Sequence, residues 1–288
     1  MLRINLINYE QGLGVKDGIL TKFAEKMHEE LQKLGQASRI TSGPTDDADV
    51  NHHINFLPYK QGSGVNTLMV THFLDSQYQR LNVLNTALKT ADMGICFSQD
   101  MVNRFKEKIP ALDKMTYILP AHDGLKRRPL VIAILTKIYD DGRKREWMVH
   151  ELSKVIDKEK FAFRIMGEGW RPTIQKMIDD GFTNIEYFEE FDYAIHKSIL
   201  DSSDYLLYTG DEDEGAMSVL DAANAGLKTI APVQGFHYDI GIDYPFKTQE
   251  ELNSVFSKLS ENKVEDWTWE KYTKQYLELW QKLHSLRA

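Results

Sequence analysis

The densest run of reactive side chains is Gly210-Asp211-Glu212-Asp213-Glu214-Gly215-Ala216-Met217-Ser218-Val219-Leu220-Asp221-Ala222-Ala223-Asn224-Ala225-Gly226. An apolar strand ends in an acidic loop, and a helix then starts on small residues with Asp221 in its second turn. Asp213 precedes Asp221 by eight positions and Glu214 precedes it by seven. Seven positions are close to two helical turns. A loop acid, either Asp213 or Glu214, could therefore face one pocket together with Asp221. The first backbone N–H groups of the helix, around Gly215, Ala216, Met217 and Ser218, could bind a phosphate or sugar oxygen. The plainer reading is a solvated acidic loop that complements the helix dipole. That reading leaves Asp221 unexplained. An acid among Val219, Leu220, Ala222, Ala223 and Ala225 is costly to bury unless it is paired or bonded to a ligand.

Other candidates are more dispersed. Val70-Thr71-His72-Phe73 puts His72 at the carboxyl end of an expected strand. Gln11-Gly12-Leu13-Gly14 follows the first strand and precedes a helix. It could be an ordinary tight turn or the start of a dinucleotide fingerprint. Gly18 comes one position too late for that fingerprint, and no acid clearly ends a second strand, so a dehydrogenase fits poorly. His52 and His53 are neighbours on one strand and point to opposite faces, which makes a poor metal pair. His122 and His237 fall in loops that could edge a cleft. No metal-ligand spacing, nucleophile elbow or P-loop is present.

Short apolar strands alternating with longer amphipathic helices would position these groups. Strands are expected at 2–8, 52–57, 67–73, 93–98 and 116–119, with helices from about 18 to 34, 78–90 and 99–108. Pro120-Ala121-His122-Asp123-Gly124-Leu125-Lys126-Arg127-Arg128-Pro129 has no apolar periodicity and reads as a linker. The rhythm restarts with Leu130-Val131-Ile132-Ala133-Ile134-Leu135. Strands follow at 161–166, 184–188, 205–208 and 228–231, and helices at 144–156, 171–180, 192–202, 216–226, 248–260 and 268–285. This pattern predicts α/β architecture with two doubly wound, Rossmann-like domains, 1–125 and 126–288. The two would leave a cleft lined by the carboxyl ends of their strands.

The stretch from Asp213 through Asp221, Ala222, Ala225 and Gly226 to the strand Leu227–Ala231 resembles the signature of family 4 retaining glycosyltransferases, which have the GT-B fold. The usual Glu positions are Asp here, and Glu214 lies one place late. The resemblance spans about residues 130–288 and is carried by the order of its parts. It implies that Asp221 holds the ribose and that Asp213 or Glu214 orients the sugar. Lys137, followed by Arg143 and Lys144, resembles the cation set that grips the nucleotide diphosphate, with Lys137 in place of the usual Arg. Gly167 and Glu168, in Met166-Gly167-Glu168-Gly169, resemble the family's Gly-x-Gly turn. Trp267-Thr268-Trp269 with Tyr272, Tyr276 and Trp280 resembles its closing helix, which crosses back to the first domain. Gly12 and Gly14 occupy the place of a Gly-rich loop, and His72 that of a histidine near the transferred sugar. The implied activity is transfer of a hexose-type sugar from a nucleotide donor to an acceptor that the sequence does not identify. UDP is the expected nucleotide rather than GDP. No cofactor beyond the donor and no metal is expected. A non-catalytic protein that binds a sugar nucleotide, or supports a partner enzyme, is the alternative.

Composition narrows the field further. The net charge of -8, from 35 basic and 43 acidic residues, argues against broad nucleic-acid binding, which rests on phosphate neutralisation. Lys126-Arg127-Arg128 could make a weak membrane-surface contact. The single cysteine, Cys96, precludes an internal disulfide and reads as core. The N-terminus reads as a first strand rather than a signal peptide, and no apolar run approaches bilayer length, so a cytoplasmic location is expected. The oligomeric state is not legible.

Overall fold

The computed structural model describes residues 1–10, 18–71, 78–105 and 108–287. The chain divides into two compact units, Met1–Leu125 with Lys263–Ala288, and Lys126–Asn262. Each unit is an α/β domain built on one six-stranded sheet whose strands all run parallel.

In the first unit the strands are β1 (Arg3–Ile7), β2 (Ala37–Thr41), β3 (Val50–His53), β4 (Val65–Val70), β5 (Met93–Cys96) and β6 (Met115–Tyr117), in the order β2-β1-β3-β4-β5-β6. Helix α1 (Ile19–Lys33) turns Phe23, Ala24, Met27 and Leu31 inward, at the spacing of one helical face. Helices α2 (Tyr78–Leu88) and α3 (Gln99–Phe105) follow. Strand β2 was not legible as a strand. Its sequence, Ala-Ser-Arg-Ile-Thr, is polar because it lies at the sheet edge and stays partly exposed. Strand β3 covers 50–53 rather than 52–57, and its four residues are all buried although three are polar.

The connections β2–β3 and β3–β4, residues 42–49 and 54–64, contain no helix. Parallel crossovers usually carry one. Loops must therefore lie over the sheet, and loop backbone needs hydrogen-bond partners wherever it is buried. Three asparagines supply them. Asn5, Asn51 and Asn66 are register partners across β1, β3 and β4. Asn51 accepts from Asn5 Nδ2 at 2.9 Å and from Thr45 N at 3.0 Å, and donates to Thr45 O and Ser63 O. Asn5 donates to Gly43 O, and Asn66 bonds to the backbone of Gly62 and Gly64.

The opposite face is covered by apolar and aromatic side chains. Helix α10 (Trp269–Ser285) buries Trp269, Tyr272, Tyr276 and Trp280 against β1, β3, β4 and α1. Thr268 caps it by accepting from Lys271 N. Trp280 Nε1 donates to Thr67 Oγ1 at 2.9 Å, and the same hydroxyl bonds His52 Nδ1 at 2.8 Å.

In the second unit, β7 (Leu130–Leu135), β8 (Phe161–Met166), β9 (Ile185–Phe188), β10 (Tyr205–Leu207), β11 (Lys228–Ala231) and β12 (Tyr244–Pro245) are ordered β12-β11-β10-β7-β8-β9. This is the strand order of dinucleotide-binding sheets, with the direction of winding reversing between β7 and β10. Helices α4 (Trp147–Val155), α5 (Arg171–Asp179), α6 (Tyr193–Ser202), α7 (Met217–Asn224), α8 (His237–Ile240) and α9 (Gln249–Ser260) connect and cover the strands. One core joins Ile132, Phe163, Trp170 and Phe256, and another joins Leu206, Tyr208, Val219 and Ala222. No helix among the described residues is long and apolar enough to cross a membrane.

Candidate functional site

Ligands in such sheets bind beyond the carboxyl ends of the strands, near the point where winding reverses. In the second unit a cavity of about 420 Å³ opens there, within the roughly 300–1,000 Å³ usual for ligand pockets. Its wall includes Lys137, Gly167, Glu168, Met217, Ser218 and Asp221.

The turn after β8 explains how Lys137 is held. Gly167 has φ of 138°, and a Cβ there would lie 2.2 Å from Thr136 O. Only glycine lets the two strand ends approach so closely. Ile138 N then donates to Glu168 O at 2.9 Å, and Trp170 Nε1 donates to Thr136 O at 2.7 Å. Lys137 Nζ forms an ion pair with Glu168, and both side chains remain more than half exposed.

Asp221 sits one turn along α7 from Met217 and Ser218, so all three open onto the cavity. Its side chain is 48% exposed, while Val219 and Ala222 turn to the core. The cost expected for burying this acid does not arise. His196 Nε2 lies 3.8 Å from Asp221 Oδ2, and Phe191 and Tyr193 flank the imidazole. Phe191 and Tyr193 are themselves largely exposed on the cavity wall.

Arg143, Lys144, Asp213 and Glu214 are not part of that wall. Arg143 lies over the Tyr139 ring, 4.4 Å from its centre, and pairs with Asp141 at 3.3 Å. Lys144 is buried and donates to Asp213 Oδ2 at 2.6 Å and Tyr208 Oη at 2.9 Å. Tyr208 Oη in turn donates to Asp213 Oδ2 at 2.7 Å. Burial alone would raise the Asp213 pKa, but the hydrogen bonds from Lys144 and Tyr208 hold it below the usual range. Arg145 binds Thr209 O at 2.7 Å and lies 3.3 Å from Asp211, tying the same two loops together. Asp213, rather than Glu214, is thus the acid joined to a cation. Glu214 is exposed.

The start of α7 is only partly available. Ala216 N donates to His237 Nε2 at 2.9 Å, and His237 Nδ1 bonds Pro232 O at 2.8 Å. His237 is fully buried and does not edge any opening. Phe236 packs on Gly215, where an added Cβ would lie 2.6 Å from the ring. The amides of Met217 and Ser218 remain at the helix end, where no intrahelical partner exists.

Gly12, Gly14 and His72 lie outside the described residues. His52 and His53 are buried on opposite faces of β3. Burial lowers the pKa of His52 to about 3 and of His53 to about 4. His122 binds Val264 O at 2.8 Å and accepts from Gly124 N, holding the chain locally. In the linker, Arg128 pairs with Asp204 and Lys126 lies 3.5 Å from Glu159. Among the described residues no group of three or more His, Cys, Asp or Glu could hold a metal ion.

Sequence reasoning missed Tyr208, Arg145 and His196, and placed His237 at a cleft edge, whereas it is a buried acceptor for Ala216 N. Tyr208 could have been suspected as the polar end of an apolar strand. The others act through loop geometry that spacing does not carry.

No protein-family model matches the chain, and no curated protein matches it. Among solved structures it is similar to WaaG, a glycosyltransferase involved in lipopolysaccharide biosynthesis, at 14% identity over 99% of both chains with a TM-score of 0.40. It is also similar to Anabaena Alr3699/HepE in complex with UDP and glucose, at 9% identity over 99% of this chain and 98% of that one, TM-score 0.40. A glycosyltransferase from Rickettsia africae ESF-5 matches at 13% identity over 98% of both chains, TM-score 0.39. Overlaps this shallow decide nothing about chemistry, and the fold of each unit rests on its strand order.

Proposed function

We propose that this chain is a glycosyltransferase that moves a hexose-type sugar from a nucleoside diphosphate donor to an acceptor hydroxyl, with retention at the anomeric carbon. One observation carries the reading. Asp221, Lys137 and the N-terminal turn of α7 all open onto one cavity at the carboxyl ends of a sheet with dinucleotide-binding order.

In this reading Asp221 accepts hydrogen bonds from the ribose hydroxyls. Lys137 neutralises the diphosphate, and Arg143 and Lys144, from the loop after the same strand, act on the leaving group as it gains charge. The amides of Met217 and Ser218 bind a phosphate or sugar oxygen, and Asp213 orients the sugar. The first unit supplies the acceptor side, and the resemblance gives Gly12 and Gly14 a donor-binding role and His72 a role toward the transferred sugar. UDP-sugars are the preferred donors over GDP-sugars. The sequence resemblance supports these roles, together with retention.

Titration calorimetry with UDP, GDP and UDP-glucose tests the reading. The wild type is expected to bind a nucleoside diphosphate, and Asp221→Ala to weaken it by about 10–100-fold, the worth of hydrogen bonds to a charged group. A wild type that binds no nucleotide or nucleotide sugar at millimolar concentration ends the idea. A non-catalytic sugar-nucleotide-binding protein is favoured by one observation: Lys137 and Lys144 are each already paired with a carboxylate of this chain. Slow donor hydrolysis without acceptor separates the two, because a binding protein shows none.

A further inference from the structure

We propose that Tyr208 is a positioning residue that holds Asp213 in place, so that the Lys144 ammonium can leave its carboxylate for the donor diphosphate. The inference rests on the glycosyl-transfer reading and assigns a role that neither spacing nor resemblance suggested.

The geometry is a closed triangle. Lys144 Nζ donates to Asp213 Oδ2 and to Tyr208 Oη, and Tyr208 Oη donates to the same Asp213 oxygen. A buried lysine bonded to a carboxylate is a poor anion ligand, since moving it strands a negative charge in a partly buried site. Tyr208 changes that balance. Its ring is 1% exposed, so the hydroxyl has a fixed position. The backbone leaves it room, because a Cβ on Gly210 would lie 2.2 Å from that hydroxyl. Burial, followed by the hydrogen bond to Asp213, pushes the phenol well above its ordinary pKa. It therefore remains a donor to Asp213 whether or not Lys144 is there.

The surrounding backbone points to the same place. Arg145 at φ of 47° and Glu212 at 53° are non-glycine residues in the left-handed region. One directly follows Lys144 and the other directly precedes Asp213. Such conformations are uncommon and costly, and they persist where surrounding structure over-determines them. Three hydrogen bonds lock the two loops: Thr209 Oγ1 to Lys144 O, Arg145 Nε to Thr209 O, and Asp211 N to Arg143 O. Each loop is thus fixed, so Lys144 can meet a donor only by turning its side chain away from Asp213 and Tyr208, both of which it now bonds.

Calorimetry of UDP and uridine on the full chain tests the assignment, using wild type, Tyr208→Phe, Asp213→Asn and the double variant. Tyr208→Phe keeps the buried ring. It is expected to weaken UDP about tenfold, with uridine binding unchanged. Asp213→Asn is expected to tighten UDP severalfold, because Lys144 loses its competing partner. In the double variant the tyrosine effect is expected to vanish. Tyr208→Phe binding UDP like wild type, weakening UDP and uridine alike, or keeping its full effect in the Asp213→Asn background would each overturn the proposal while the functional reading stands. A wild type that binds uridine and UDP equally overturns the diphosphate role on which both depend. Should Tyr208→Phe fail to fold, the Asp213→Asn arm decides, and weaker UDP binding there overturns the proposal.

Discussion

In the first unit, polar side chains on the sheet are turned inward and bonded to one another: Asn5 to Asn51, Asn51 and Asn66 to loop backbone, His52 to Thr67, and Thr67 to Trp280. In the second unit, Lys137 stands just beyond the end of β7 and Asp221 one turn into α7, each with about half its side-chain surface open. Both units use the same doubly wound plan. The contrast shows that a polar residue in an α/β domain is structural when it is buried and its hydrogen-bond partners are internal. It becomes a candidate for chemistry when a rigid element presents it at the carboxyl edge with capacity left over.

The contrast is best tested by variants that should affect one unit only. Trp280→Ala removes the largest buried ring of α10 and the Thr67 bond. It is expected to cost about 3–5 kcal/mol and to lower the first unit's unfolding transition in calorimetry, while leaving UDP binding by the second unit unchanged. If both changed together, the units would not be energetically separate. Asn51→Ala strands the Thr45 and Ser63 backbone groups and the Asn5 amide. A loss of about 3 kcal/mol follows from several unsatisfied buried groups, measured by urea unfolding. A change below about 0.5 kcal/mol, ordinary for surface sites, would show that the loops find other partners. Asp221→Ala is expected to act the other way round, weakening UDP by about 10–100-fold with thermal unfolding essentially unmoved.

The two histidines give a pH signature confined to the first unit. Burial holds both imidazoles neutral in the folded chain, with His52 at about 3 and His53 at about 4, against an ordinary value of 6.5. The unfolded chain takes up protons below that ordinary value and the folded chain does not. This stability is therefore complete above pH 6.5 and is lost as pH falls from there toward the folded values. The slope is up to about 1.4 kcal/mol per pH unit per histidine. A His52→Gln, His53→Gln double variant is expected to flatten the decline between pH 6.5 and pH 5, read by chemical unfolding at each pH. The smallest effect belongs to Cys96, whose thiol burial pushes up to about 12. It should not react with an aromatic disulfide reagent until the chain unfolds.

How much of this was legible follows from which forces write on sequence. Apolar periodicity marked α1, α10 and the buried strands β7 and β8, because their burial repeats at fixed intervals. It could not mark β2, whose edge position asks for no apolar face, nor β3, where loop backbone bonds Asn51, Thr67 bonds His52 and Tyr9 bonds His53. Asp221 stood out because an acid lay among apolar neighbours, and its helix does present it to a cavity. Spacing left Asp213 and Glu214 open. Only the loop after β10, with Glu212 left-handed, turns Asp213 rather than Glu214 toward Lys144. The Gly167 requirement was visible as a Gly-x-Gly turn, but its cause, the approach of Thr136, was not.

The division of the chain sets an order of events during synthesis. Residues 126–262 interrupt the first unit, whose remaining part begins at Lys263. The aromatic face of α10 leaves the ribosome only after the whole inserted unit, although β1 emerged before it. The inserted unit can therefore complete its sheet while the earlier one still lacks Trp269, Tyr272, Tyr276 and Trp280. Domains usually mature in the order they are translated. Here the first translated half must wait for α10, and chains truncated before Trp269 and released would carry a complete second unit and an incomplete first one.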